Sequence, residues 1–229
     1  MTDPVTHITA HPTRPFLMVE AEQRSPEWFA ARLGRVTGSK AQAVFGKTKK
    51  GERTAEYDKY MDQLVAEILT ANGAEDIYFT ADMQRGVDLE PVARDAAATA
   101  LGMQIRETGF LAHKTLRAGS SLDGDIEDFR AVVEIKCPRT TTHLGYIESK
   151  SLPDTYAGQL LHNLYVTQAE TIFFVSYDDR LPLHLQLLIV ERHAKDLPMA
   201  EYEDELLTFI SKLELRLDEL RTTELQQKY

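Results

Sequence analysis

Apolar residues recur at three- and four-residue spacing along two stretches of the chain, Thr54 to Ala71 (Tyr57, Met61, Leu64, Val65, Ile68) and Met199 to Leu220 (Leu206, Ile210, Leu213, Leu217, Leu220). That spacing predicts two amphipathic helices, the first ended by Asn72-Gly73. A third helix is predicted from Thr80 or Met83 to Leu101, closed by Gly102, with Pro91 near its start or at a kink. A fourth runs from Leu152-Pro153-Asp154 to Thr167, with Tyr156, Leu160, Leu161, Leu164 and Tyr165 turned inward. Ser25-Pro26-Glu27-Trp28 reads as a capped helix start, serine before proline. The pattern shifts to β-branched and aromatic runs at Thr171 to Tyr177 and Leu183 to Val190, two strands around the turn Asp178 to Pro182. Met103 to Ile105 and Phe110 to His113 read as shorter strands, and Thr140 to Lys150 as a polar, mobile segment. Residues 1–24 read as a loosely held arm with one short strand at Phe16 to Val19, and residues 25–229 as one domain.

The segment Ser120 to Pro138, SSLDGDIEDFRAVVEIKCP, reads as a strand end, a turn at Asp123-Gly124 and a second strand, Ala131 to Lys136. Side chains alternate across a strand, so Glu134 and Lys136 share one face with Val132, while Val133 and Ile135 take the other. Charge thus enters an apolar strand only at its C-terminal end, where α/β sheets tend to bind ligands. Two carboxylates beside a lysine suit metal-assisted phosphodiester hydrolysis. Asp123 and Glu134 would be hard oxygen ligands for Mg²⁺, and Lys136 could orient water or stabilise the transition state. A surface hairpin with one charged face accounts for the same triplet, so the pattern leaves both open.

With 26 basic and 36 acidic residues the chain carries a formal charge of −10, which excludes a protein that coats nucleic acid with its whole surface. Any DNA contact has to be local. The single cysteine, Cys137, excludes an intrachain disulfide and a four-cysteine metal site. No apolar run is long enough to span a membrane, and no signal-peptide pattern opens the chain, which points to the cytoplasm. Basic residues concentrate in one window, Arg32, Arg35, Lys40, Lys47, Lys49, Lys50 and Arg53 against the lone acid Glu52. Beside the turn Val36-Thr-Gly-Ser39 they suit phosphate, and they equally suit a solvated loop. By contrast the C-terminal helix is acidic and is expected to lie far from DNA. Spacing alone makes Glu90 an exposed helical glutamate; Gln159 and His162, one turn apart, could both face the cleft.

Four blocks, Trp28 to Ser39 (WFAARLGRVTGS), Arg85 to Arg94 (RGVDLEPVAR), Ser121 to Cys137 and Tyr156 to Val166 (YAGQLLHNLYV), together resemble the PD-(D/E)XK nucleases. Within that superfamily the chain resembles the phage lambda exonuclease-like alkaline exonucleases, the YqaJ-type viral recombinases. The resemblance implies an α/β fold with a restriction-endonuclease-like core, a central mixed β-sheet flanked by helices. It implies that Asp123, Glu134, Glu90 and the main-chain carbonyl of Ile135 hold the metal, that Lys136 is the catalytic lysine, and that Gln159 holds the lysine or substrate. Arg32, Ser39, Ser121 and Lys49 match residues that take a DNA 5′-phosphate. Leu122 stands where the superfamily name has proline, and the acid after it remains. The implied activity is processive 5′-to-3′ digestion of linear duplex DNA to 5′-mononucleotides, leaving a 3′ single strand for recombination. Also implied are Mg²⁺, two ions, with Mn²⁺ as substitute; a ring-shaped homotrimer; a phage-type single-strand annealing partner; and a phage or prophage origin in a bacterial cell. A RecB-like nuclease shares the order Glu90, Asp123, Glu134, Lys136, Gln159, and a non-catalytic DNA-end-binding module would keep the same fold.

Overall fold

A computed structural model describes residues 7–73 and 80–223. The first six residues of the expected arm and the last six of the expected domain lie outside the described residues. Two mixed sheets share the chain. The first contains β1 (His7–Ala10), β2 (Phe16–Glu20), β3 (Val36–Thr37), β4 (Phe110–His113) and β5 (Ala118–Ser121) in the order β1-β2-β4-β5-β3. The second is β6 (Gly124–Ile126), β7 (Ala131–Lys136), β8 (Thr171–Tyr177) and β9 (Leu187–His193) in sequence order, with β7 and β8 parallel in register Glu134↔Phe174. The helices are α1 (Pro26–Arg32), α2 (Ala41–Phe45), α3 (Ala55–Thr70), α4 (Ala81–Leu101), α5 (Thr140–Ser149), α6 (Ala157–Thr167) and α7 (Met199–Thr222).

Mixed sheets flanked by helices are thus observed, but pairing is divided between two sheets, because the chain changes sheets between Ser121 and Gly124. Leu122, fully buried in that crossing, anchors it. The hairpin expected over this region is β6–β7, and its turn lies at residues 127–130 rather than at Asp123-Gly124. Glu127, Asp128 and Phe129 all adopt positive φ there, a backbone that closes the turn without glycine.

Alternation along β7 and β8 explains why both read as nearly continuous apolar runs: both faces are covered. Val132, Ile172 and Phe174 face one core with Leu160, Leu161 and Leu164 of α6 and Leu206, Phe209, Ile210 and Leu213 of α7. Ala131, Val133, Ile135, Phe173 and Val175 face a second core closed by Ala93 and Ala97 of α4. Two alanines one turn apart let that helix lie close to the sheet. Each buried leucine or phenylalanine contributes about 1.5–3 kcal/mol, so α6, packed on both sheets, is held from several sides.

Several expectations need correction. The loosely held arm contributes two strands from residue 7 onward, with Phe16 fully buried and paired through β2 to β4. Its apolar side chain has nowhere drier to go. Residues 140–149 form helix α5, fastened by His143, whose ring bonds Ser176 Oγ at 2.6 Å and the Leu185 carbonyl at 2.8 Å. The expected strand at 103–105 reduces to one bridge, Arg106 with Asp125. Pro91 lies inside α4, which overturns the first of its two expected places, the helix start, and β9 begins at Leu187 after a short 3₁₀ turn. No described helix is long and apolar enough to cross a membrane.

Candidate active site

Strand β7 ends with Glu134 and Lys136 on the α6 side and Ile135 on the α4 side. Glu134 is almost wholly buried, and both its oxygens are engaged. Oε1 accepts from Lys136 Nζ and from Gln159 Nε2 at 2.6 Å, and Oε2 accepts from Asn163 Nδ2 at 2.9 Å. Gln159 and Asn163 are one turn apart on α6, so one helix face delivers both amides. Asp123 stands in the crossing between sheets, where its Oδ2 accepts from the Ile135 backbone N–H at 2.6 Å. Glu90 arrives from the opposite layer. Arg94, one turn later on α4, donates from Nη2 to Glu90 Oε1 at 2.6 Å and from Nε to the Asp123 carbonyl at 2.7 Å. A groove of about 550 Å³ opens on this point, lined by Arg85, Glu90, Asp123, Lys136, Tyr156 and Arg180 among others.

The electrostatics follow from crowding acids away from water. Burial lifts Glu134 to about 7 against the pull of Lys136, with Asp123 adding to the rise. Burial, then the Asp123 carboxylate, lifts Glu90 to about 7. Asp123 is raised by burial, opposed by Lys136. Burial would lower Lys136, but Glu134 and Asp123 outweigh it and hold the ammonium charged above its ordinary value. Three acids that resist ionising together are short of positive charge. The donors are hard oxygens only, and Asp123, Glu134 and the Ile135 carbonyl fit Mg²⁺, which uses one or two carboxylates and keeps several waters. Among the described residues no three His, Cys, Asp or Glu side chains form a metal cluster by themselves, so water or phosphate would have to complete the shell.

Of the residues expected to take phosphate, the structure brings two together. Arg32 packs its guanidinium 4.1 Å over the Trp28 ring and donates to Ser121 Oγ at 2.9 Å, which also accepts from Trp28 Nε1 at 3.1 Å. Burial lowers Arg32 to about 10, still a cation at neutral pH, and no carboxylate pairs with it among the described residues. Ser39 is exposed on the turn Gly38–Lys40 and Lys49 is exposed in the following loop; no bond joins either to this pair. The basic window and the acidic helix meet. Lys47 bonds Glu201 at 3.0 Å and Glu205 at 3.1 Å, and Arg53 bonds Glu205 at 3.1 Å. His162 turns from the cleft into the core, its Nε2 donating to the Gly119 carbonyl at 2.9 Å while Nδ1 accepts from the Tyr202 hydroxyl at 2.5 Å. Sequence reasoning missed Asn163, Arg94 and Trp28 as site residues. The first two sit four residues after Gln159 and Glu90, and that spacing was the available signal. Arg85 was also missed: it donates to the Cys137 and Pro138 carbonyls at 3.2 and 3.1 Å and to buried Asp178 at 2.7 Å. It thereby ties α4 to the ends of β7 and β8.

Comparison with known proteins finds a matching family and solved structures of similar fold. A family profile described as YqaJ-like viral recombinase domain matches residues 27–170. The alkaline exonuclease LHK-Exo from Laribacter hongkongensis is 36% identical, covering 86% of this chain and 96% of its own, with a TM-score of 0.76. A second structure of LHK-Exo, in complex with dAMP, gives 35% identity over the same shares and a TM-score of 0.77. A phage-related exonuclease from Haemophilus somnus 129PT shares the fold at 14% identity and a TM-score of 0.62, covering 82% of this chain and 95% of its own. No curated protein matches.

Proposed function

This chain belongs to the YqaJ-like viral recombinase domain family, whose alkaline exonuclease relatives make it a nuclease, and from that premise we propose that it degrades linear duplex DNA from the 5′ end. The observation that carries the reading is the convergence of Asp123, Glu134 and Lys136 at the end of β7, with Gln159 on Glu134 and Glu90 closing from the other layer.

In this reading Asp123 and Glu134, with the Ile135 carbonyl, hold Mg²⁺, two ions with Glu90 contributing, or Mn²⁺ in its place. When bound, the ion polarises the phosphoryl oxygen and makes a bound water more acidic. The chain's own residues do the rest. Lys136 stays protonated, so it donates: it orients the attacking water and stabilises charge growing on the phosphoryl oxygens. Gln159 keeps Glu134 and Lys136 in register. Arg94 fixes Glu90 and the Asp123 backbone relative to each other. The half-buried guanidinium of Arg32, which no carboxylate pairs with among the described residues and which Trp28 and Ser121 steady, receives the terminal 5′-phosphate, which sets polarity by binding the end rather than the bases. Ser39 and Lys49 join it when DNA enters. The relative crystallised with dAMP, a deoxynucleoside monophosphate, supports mononucleotide release. A ring-shaped homotrimer would let a chain of net charge −10 stay on DNA by topology, with only its inner surface basic. The 3′ strand would pass to a single-strand annealing protein in the bacterial cytoplasm.

Linear duplex labelled separately at its 5′ and 3′ ends, with and without Mg²⁺ and beside a closed circle, tests this. We expect Mg²⁺-dependent loss of the 5′ label with the circle spared. Cutting of the circle, or loss of the 3′ label first, would overturn it.

A further inference from the structure

Asn163 is fully buried on α6 and makes one side-chain hydrogen bond, from Nδ2 to Glu134 Oε2 at 2.9 Å. Its Oδ1 is buried with no partner among the described residues. A desolvated amide that satisfies only one end is costly, and an apolar residue of similar volume would avoid that cost. An ionised carboxylate only accepts, so the amide presents Nδ2 to Glu134 and turns Oδ1 the other way. On that side stands Gly38. A Cβ there would lie 2.7 Å from Asn163 Oδ1 and 3.5 Å from Gln159 Cγ. Gly38 does not use the left-handed backbone region, so its missing side chain serves this close approach and not a turn conformation.

The turn itself is anchored. Val36 and Thr37 pair with Ala118 and Gly119 of β5, and the Thr37 N–H donates to the buried Tyr60 hydroxyl at 3.1 Å. Asn163 is therefore wedged between a fixed turn and the Glu134 carboxylate. We propose that Asn163 is a positioning residue that holds Glu134 in register for its cation, and that Gly38 sets where Asn163 stands. The turn leading to Ser39 and the acid at the end of β7 then move as one unit. This inference rests on the reading of Glu134 as a metal ligand.

Titration of the full-length protein with Mn²⁺ in the absence of DNA, followed by calorimetry or electron paramagnetic resonance, tests both statements. Outer-shell partners of ligating groups typically carry about 10–100-fold in metal affinity, and Asn163→Ala is expected to lose that much. Gly38→Ala, which removes no bond to Glu134, is expected to weaken Mn²⁺ as well, because its Cβ displaces Asn163. The double variant Gly38→Ala/Asn163→Ala is expected to bind no more weakly than Asn163→Ala alone, the clash having lost its partner. Thermal melts accompany each titration, since a merely structural residue lowers the melting temperature without changing the affinity of the folded fraction. Unchanged Mn²⁺ affinity in Asn163→Ala overturns the positioning role, and losses that multiply in the double variant overturn the link to Gly38. Should Asn163→Ala not fold, Gly38→Ala decides by itself, unchanged affinity there sinking the proposal. If the wild type takes up no Mn²⁺, the assignment of Glu134 as a ligand fails first and this inference with it.

Discussion

Lys136 owes its place to arithmetic along one strand: two residues after Glu134, it must share that face, and its charge is kept by the acids it meets. An ammonium held above its ordinary pKa donates hydrogen bonds and does not act as a base near neutrality. Lys136→Ala is therefore expected to lower turnover by about 10²–10³-fold or more, the cost of losing one preorganised donor, while DNA-end affinity stays near wild type. Single-turnover cleavage beside a binding titration separates the two quantities. Retained turnover would remove Lys136 from the chemistry. Cys137, next in sequence, carries none of this: burial pushes its thiol up to about 12, which leaves it inert.

At the scale of elements, α6 and α4 position the site from opposite faces of one sheet. Helix α6 sends Gln159 and Asn163 to Glu134, and α4 sends Glu90 and Arg94 around the strand end. Helix α7 backs α3 through Phe209, which meets Tyr57 edge-on at 4.9 Å and stacks on Tyr60 at 5.7 Å. Truncating it should open a cavity that rigid neighbours cannot fill. We expect Phe209→Ala to cost about 3–5 kcal/mol in urea unfolding. On the same helix Leu215 is 61% exposed, and Leu215→Ala should stay within about 0.5 kcal/mol. Equal losses at both positions would mean that α7 docks by a different face.

For the whole molecule, the buried His162 couples stability to pH. Burial lowers its pKa from 6.5 to about 4, so it folds neutral, with Nδ1 accepting a hydrogen bond from the Tyr202 hydroxyl. Above pH 6.5 both folded and unfolded states are neutral and its contribution is complete. As pH falls from 6.5 toward 4 the unfolded chain binds a proton that the folded one refuses, and stability drops by up to about 3 kcal/mol. The raised acids Glu90, Asp123 and Glu134 act with the opposite sign in that window, so the wild type is read against His162→Gln, in which they are unchanged: the stability difference between the two, from urea unfolding, should shift against the wild type as pH falls. Wild-type and variant curves that stay parallel across the window would contradict the buried neutral ring. Net charge acts at the same scale: Glu201 and Glu205 of α7 neutralise Lys47 and Arg53, so the basic window offers DNA less free charge than its composition suggests.

Sequence alone determined whatever depends on neighbours in the chain. Periodicity located α3 and α7, the caps at Ser25 and Gly102 marked a helix start and the end of α4, and alternation put Glu134 and Lys136 on one face, because these are local rules of backbone geometry. The family motifs added Glu90, Arg32 and Ser121 and gave Gln159 its role, which spacing could not have joined to Asp123 and Glu134. Tertiary structure decided what depends on partners distant in sequence. It divided the strands between two sheets, drew the supposed arm into the first, turned His162 inward, set α7 against the basic loop, and placed Asn163 between Gly38 and Glu134. A side chain's direction within its own element follows from backbone period. What waits for it on the far side is set only when the elements pack, since burial of apolar faces, not local preference, chooses which layers meet.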